Sequence, residues 1–151
     1  MAVYAKPLVP VTNLIVDTIP MDGPNMVQGQ RVRSTIAEIN AGKTLLAAVA
    51  GLKYRIIDWT MIAYGGAATT ATAVTILGTQ TSSVALATVA VGGLTQSTIA
   101  KPNTATHSVV LADGASFVAN DEETAITIGQ TGSDLAGCTG VDVILTYTLE
   151  T

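Results

Sequence analysis

The tripeptide Gly42-Lys43-Thr44 is the nearest approach to a catalytic motif in this chain, because the same three residues end a phosphate-binding loop. The complete loop needs a further glycine five positions before Gly42, where this sequence has Ala37. A short apolar run follows Thr44, which favours a strand over the helix that such a loop would precede. The sequence therefore predicts a strand and a turn here and no nucleotide site.

His107 and Cys138 are the single histidine and the single cysteine of the chain. A His-based metal site or a catalytic triad needs partners at suitable spacing, and these two residues make no such cluster. One cysteine forms no intrachain disulfide, which is typical of proteins that mature in a reducing cytoplasm. We expect an exposed or capping histidine, an inert thiol that is buried or semi-buried, and no cofactor.

Two groups of carboxylates are weaker candidates for chemistry. Asp121-Glu122-Glu123 lacks the alternating oxygen ligands and the bend glycine of a calcium loop, so it is expected to be a solvated hairpin tip. Asp58 stands inside an apolar run without a second carboxylate nearby, and an ion pair with Arg55 or Lys53 is the expected role. No catalytic residues and no metal ligands are predicted.

Charge is scarce along the whole chain. Charged residues make up 12% of the 151 residues and the net charge is −4, whereas about 25% is usual for soluble domains. Without a cluster of lysine and arginine, binding to nucleic acid or to an anionic membrane surface is not expected. A surface built of small uncharged residues favours a protein covered by a partner or by copies of itself, and the alternative is a well-packed, threonine-rich β-protein.

The first 30 residues are predicted to form an extended arm, because four of the five prolines lie within the first 24 positions. The arm would lie over the body or reach a neighbouring molecule, and a frayed terminus is the alternative. Residues 31–151 are predicted to form one β-sandwich domain. The candidate partner-binding residues of the arm are Tyr4, Pro7, Pro10 and Val11.

Alternation of apolar and polar residues predicts the strands of the body. Val141–Glu150 shows a period of two with Ile144 as the exception, which indicates a half-buried strand. Tyr54–Tyr64 is apolar on both faces, so it is expected in the centre of a sandwich or under another subunit, with Trp59 as a core or partner-binding residue. About eight short strands predict an all-β fold, an antiparallel β-sandwich or jelly roll.

Three runs of small and apolar residues resemble a known family. They are Ala41–Asp58, Leu111–Phe117, and the ending Ala125–Gly129 with Val141–Tyr147. These runs are similar to those of the jelly-roll decoration (cement) proteins of tailed-phage heads. The resemblance implies a homotrimer that sits on the outer capsid surface, with arms or loops that clamp the major capsid protein, and it implies no catalytic residues.

The sequence and the resemblance together predict a non-enzymatic virion protein that binds the outside of a phage capsid and stabilises the head. It would be assembled in the cytoplasm of the bacterial host. A trimeric tail-fibre or spike domain, or another receptor- or glycan-binding β-sandwich, is the alternative. A small enzyme is a third class, which the missing acid, base and nucleophile disfavour.

Overall fold

The computed structural model describes residues 26–102, 107–109 and 118–151, with the backbone alone for 107–109. Most of this part of the chain is strand. The elements in chain order are β1 (Val27–Thr35), α1 (Ile36–Asn40), β2 (Thr44–Leu46), β3 (Lys53–Tyr64), β4 (Thr69–Gln80), β5 (Ser82–Ala90), a 3-10 turn (Val91–Gly93), β6 (His107–Val109), β7 (Ile126–Ala136) and β8 (Gly140–Glu150).

The strands form two antiparallel sheets, so the predicted all-β sandwich is confirmed. The three-stranded sheet has the order β1-β8-β3, and the five-stranded sheet has the order β2-β7-β4-β5-β6. The first strand thus pairs with the last, the second with the seventh, and the fourth with the fifth. In the described strands β6 pairs with β5, and β3 pairs with β8, so the two sheets are the layers of an antiparallel β-sandwich.

The chain that follows β5 returns to the three-stranded sheet before it reaches β6. Met61 of β3 and Ala100 exchange two backbone hydrogen bonds, of 2.9 and 2.8 Å. Ala100 therefore lies along the edge of β3 that faces away from β8. The stretch around residue 100 extends the three-stranded sheet by one short bridge.

One short helix interrupts the β pattern. A weakly alternating strand is expected over Arg31–Ile39, but β1 ends at Thr35 and α1 follows it. The cause is a capping box: the Thr35 hydroxyl accepts the backbone N–H of Glu38 at 3.3 Å, and the Glu38 carboxylate accepts the N–H of Thr35 at 2.8 Å. The hydrogen bond from the Thr35 N–H to the Glu38 carboxylate is the main reason why the pKa of Glu38 lies below its usual value.

A β-bulge explains why Tyr54–Tyr64 is apolar on both parities. The pairing of β3 with β8 shifts between Ile56 and Asp58, and Ile57 at the bulge is exposed. The extra residue changes the parity of the strand, so Tyr54 and Ile56 before it share the inner face with Trp59 after it. Strand β3 is thus half-buried, with its outer face open in the described part of the chain.

The core fills the space between the two sheets. Each sheet contributes side chains that have lost all contact with solvent, and these are Met61, Val74, Ile76, Val89, Ile126, Ile128, Val141, Val143 and Leu145. The inward side chains alternate with outward polar ones along β8, as the period of two predicts. The two outer faces of the sandwich are therefore what this body offers to other molecules.

Candidate interaction surfaces

The outer face of the five-stranded sheet is built of small uncharged residues. Its positions alternate with the buried Val74, Ile76 and Ile128. Of the residue types Asp, Glu, Lys and Arg, the described strands of this sheet contain one, the exposed Asp134 near the end of β7. We call this surface the threonine face; it comprises Thr44, Ala73, Thr75, Leu77, Ala85, Thr88, Ala90, Thr127, Gly129 and Thr131. A solvated sheet face normally carries charged side chains, so this composition is unusual for a surface that meets only water.

Packing within the threonine face is close. Thr75 lies between Thr88 of β5 and Gly129 of β7 in the register of the sheet. Although it points outward, Thr75 is only 4% exposed. A Cβ built on Gly129 would approach the Thr75 hydroxyl to 3.9 Å, which is ordinary van der Waals contact. The described side chains of this face are therefore mostly short, and two of them, Ala73 and Thr75, are buried.

The outer face of the three-stranded sheet differs, because it carries exposed isoleucines around a depression. Ile144 is 46% exposed and Ile99 is 58% exposed. Together with Ile62 and Thr60 they line a hollow of about 240 Å³ that also touches Arg31 and Asp142. We call this the isoleucine hollow. It is smaller than the 300–1,000 Å³ of typical small-molecule sites, so it suits one or two aliphatic side chains better than a cofactor.

An ion cluster borders the isoleucine hollow. Asp142 lies opposite Arg33 in the β1–β8 pairing, and Arg31 lies two residues along the same face. Arg31 donates two hydrogen bonds to the Asp142 carboxylate, its Nε lying 3.0 Å from Oδ1, and Arg33 adds a third at 3.2 Å. These contacts, with that of Arg31 the largest, hold the pKa of Asp142 below its usual value despite its burial. Two cations for one carboxylate leave the border with a net positive charge.

Arg33 also lies over an aromatic ring at the end of this face. Its guanidinium carbon is 4.5 Å from the ring centre of Tyr64, a cation–π contact. The approach depends on Gly140, which lies between Thr35 and Tyr64 in the sheet. A Cβ there would come within 2.0 Å of the Ser34 carbonyl oxygen and 2.6 Å of the Tyr64 hydroxyl.

The structure places the residues that the sequence singled out as follows. Trp59 lies in the core at 4% exposure, so its ring does not form part of the outer surface of this chain. Tyr4, Pro7, Pro10 and Val11 lie outside the described residues, and their predicted contacts stay predictions.

Gly42-Lys43-Thr44 forms the turn between α1 and β2, as expected of a structural segment. Gly42 adopts a φ of 80°, which ends the helix. The Lys43 ammonium donates to the Arg33 carbonyl oxygen at 2.9 Å and pairs with Glu38 at 3.1 Å. The Lys43 ammonium is thus bound by groups of the protein itself, the Arg33 carbonyl and the Glu38 carboxylate.

The acidic run after Asn120 ties loops to strands. The Asp121 carboxylate accepts the N–H of Thr81 at 2.6 Å, and Glu123 accepts the N–H of Gly51 at 3.0 Å. Asn120 is buried and joins the two sheets, because its amide donates to the Tyr54 carbonyl at 3.2 Å and accepts the N–H of Thr79 at 3.0 Å. The sequence did not predict this bridge, since neither partner is near Asn120 in the chain.

Three candidates from the sequence remain, namely Asp58, Cys138 and His107. Asp58 is exposed and accepts the N–H of Trp59 at 2.8 Å. Arg55 pairs with Glu150 at 2.5 Å, whereas an ion pair of Asp58 with Arg55 or Lys53 was expected. Cys138 is buried in the turn between β7 and β8, and this burial raises the pKa of its thiol. Of His107 the structure gives the backbone in β6.

The described residues contain no cluster of three or more His, Cys, Asp or Glu side chains that could hold a metal ion. Helices in this part of the chain are short, and none has the length and apolarity to cross a bilayer. In comparisons with known proteins, no family model, no curated protein and no solved structure matches this chain.

Proposed function

We propose that this chain is a structural virion protein that binds the outer surface of a phage capsid and stabilises the head. The observation that carries the proposal is the threonine face. A decoration protein must cover a broad area of another assembly, and a sheet face of mostly short, uncharged side chains loses little solvation when it is covered. Many copies, each contributing a modest interface, would add up to a stable shell.

The β-sandwich body fits this role, because the side chains that could do chemistry make contacts within the protein. Asp121, Glu123 and Lys43, which were the candidates for chemistry, all hold backbone groups of the protein itself. The alternative of a glycan-binding module is less well supported. Tyr54 and Tyr147 pack edge to face at 5.4 Å in the core, where Trp59 also lies, so these rings offer no platform to a sugar.

Binding to heads tests the proposal. Phage heads prepared without this protein are mixed with the purified chain and sedimented, and the bound protein is quantified against concentration. We expect saturable binding in many copies, and heads that withstand higher temperature when the protein is bound. Absence of binding to heads would contradict the capsid role.

The proposed oligomer is a homotrimer. Light scattering of the free protein should give three times the chain mass of 15.4 kDa. A monomer at high concentration would contradict the trimer while leaving the capsid role to the sedimentation experiment.

A further inference from the structure

The part of the chain that precedes β1 contains an aliphatic segment whose chemistry resembles that of the isoleucine hollow. We propose that Leu14-Ile15-Val16 of the N-terminal arm docks into the hollow of its own chain. The segment would then anchor the arm on the body and leave residues 1–11 free to reach a partner. The inference concerns the free protein, and it stands whether the partner is a capsid or another assembly.

The position of the arm supports this occupant. The described chain starts at Met26, directly before β1, and β1 is an edge strand of the sheet that carries the hollow. Ile144 lies opposite Arg31 on the neighbouring strand, and Arg31 comes four residues after Val27. By the spacing of residues and strands, Ile144 is therefore about 15 Å from Val27. Ile99, on the far side of the hollow, is about 25 Å from Val27 by the same spacing.

The length of chain is sufficient to make this connection. Ten residues lie between Val16 and Val27, and the chain between the two Cα atoms covers up to about 36 Å when extended. The stretch contains Asp22-Gly23-Pro24, a sequence that favours a turn back toward the body. The segment therefore reaches every wall of the hollow without unfolding any strand.

The chemistry of the segment matches that of the hollow. Its side chains are aliphatic, as are those of Ile62, Ile99 and Ile144 in the walls. Asp17 follows Val16 directly, and the border of the hollow carries Arg31 and Arg33 against the single Asp142. An aliphatic run followed by a carboxylate thus meets an aliphatic depression with a cationic border.

Thiol labelling in the full chain tests the anchor. Ile144→Cys puts a thiol inside the hollow, and Ile57→Cys puts a matched thiol at the β3 bulge, outside it; the native side chains are 46% and 38% exposed. Each is made with the native arm and with Leu14→Asp/Val16→Asp. The parent chain, whose Cys138 is buried, gives the background rate.

We expect the Ile144→Cys thiol to react about tenfold more slowly with the native arm than with the Asp-substituted arm, since docking shields it. The Ile57→Cys thiol should react equally with both arms. Circular dichroism confirms that all four chains fold. Equal rates for the Ile144→Cys thiol with both arms would overturn the proposal.

Concentration separates an anchor within the chain from exchange between copies. Docking within one chain gives the same protection over about a hundredfold range of protein concentration, because the tether fixes the local concentration of the segment. Protection that grows with concentration would overturn docking within the chain and assign the hollow to the arm of a second copy. Neither result depends on head binding, so the anchor and the proposed capsid role fail separately.

Discussion

The two outer faces of this sandwich differ in the length and the charge of their side chains. The threonine face has mostly short, uncharged side chains, and Thr75 at its centre is only 4% exposed. The face of the three-stranded sheet has long side chains, an ion cluster and the isoleucine hollow. The first suits a broad contact with an extended surface. The second suits a few specific side chains.

The largest difference that we expect between the two faces is in the free energy of unfolding after a glycine on each is replaced by alanine. Gly140→Ala should destabilise the fold by about 3 kcal/mol, because its Cβ would come within 2.0 Å of the Ser34 carbonyl oxygen. Gly129→Ala on the threonine face should be neutral or stabilise by up to about 1 kcal/mol, since its Cβ makes only ordinary contacts. Urea unfolding of both variants measures the contrast.

Similar losses in the two variants would contradict the difference between the surroundings of Gly140 and those of Gly129. A large loss in Gly129→Ala alone would show that the threonine face is the more tightly constrained of the two.

The ion cluster predicts a pH-dependent difference of intermediate size. The pKa of Asp142 is lowered in the folded chain, chiefly by its hydrogen bonds with Arg31. Its contribution to stability is therefore present above the unfolded-state pKa and is lost as the pH falls through the lower folded-state value. Asp142→Asn should destabilise the protein at neutral pH by less than Gly140→Ala does.

The free energies of unfolding of Asp142→Asn and the native chain should converge as the pH falls below about 4. Urea unfolding at a series of pH values measures this convergence. A difference that stays constant with pH would show that the carboxylate charge contributes nothing to this face.

The smallest effect on the free energy of unfolding is expected for lysine substitutions at two matched threonines, one on each face. Thr88 on the threonine face and Thr146 on the opposite face are both half-buried strand residues. Lysine at either position can extend its ammonium into water, so each substitution should change the free energy of unfolding by no more than about 0.5 kcal/mol. Thermal unfolding checks this before either variant is used in a binding experiment. A large loss in Thr88→Lys alone would mean that the position belongs to the core.

Local alternation predicted a large part of the fold. The period of two in Val141–Glu150 predicted the strand β8 and its inner face, and the exception at Ile144 is one of the residues that line the hollow. The capping box of α1 was readable in Thr35 and Glu38, but the weak alternation around it favoured a strand. The signal that decides between them is the spacing of three residues.

The two faces could not be predicted, because they depend on which strands become neighbours. The threonine face exists only when β4 lies between β5 and β7. The ion cluster needs Arg31 and Asp142 to meet, although they are 111 residues apart in the chain. The bulge at Ile57 adds one residue to β3, which reverses the parity on which the inner face depends.

The most direct test of the central claim compares the two faces in head binding. Native protein, Thr88→Lys and Thr146→Lys are titrated onto phage heads that lack the protein, and the bound fraction is measured by sedimentation. We predict that Thr88→Lys binds at least about tenfold more weakly than the native chain, because a charge is buried against the capsid, and that Thr146→Lys binds normally. Normal binding by Thr88→Lys would contradict the assignment of the threonine face to the capsid.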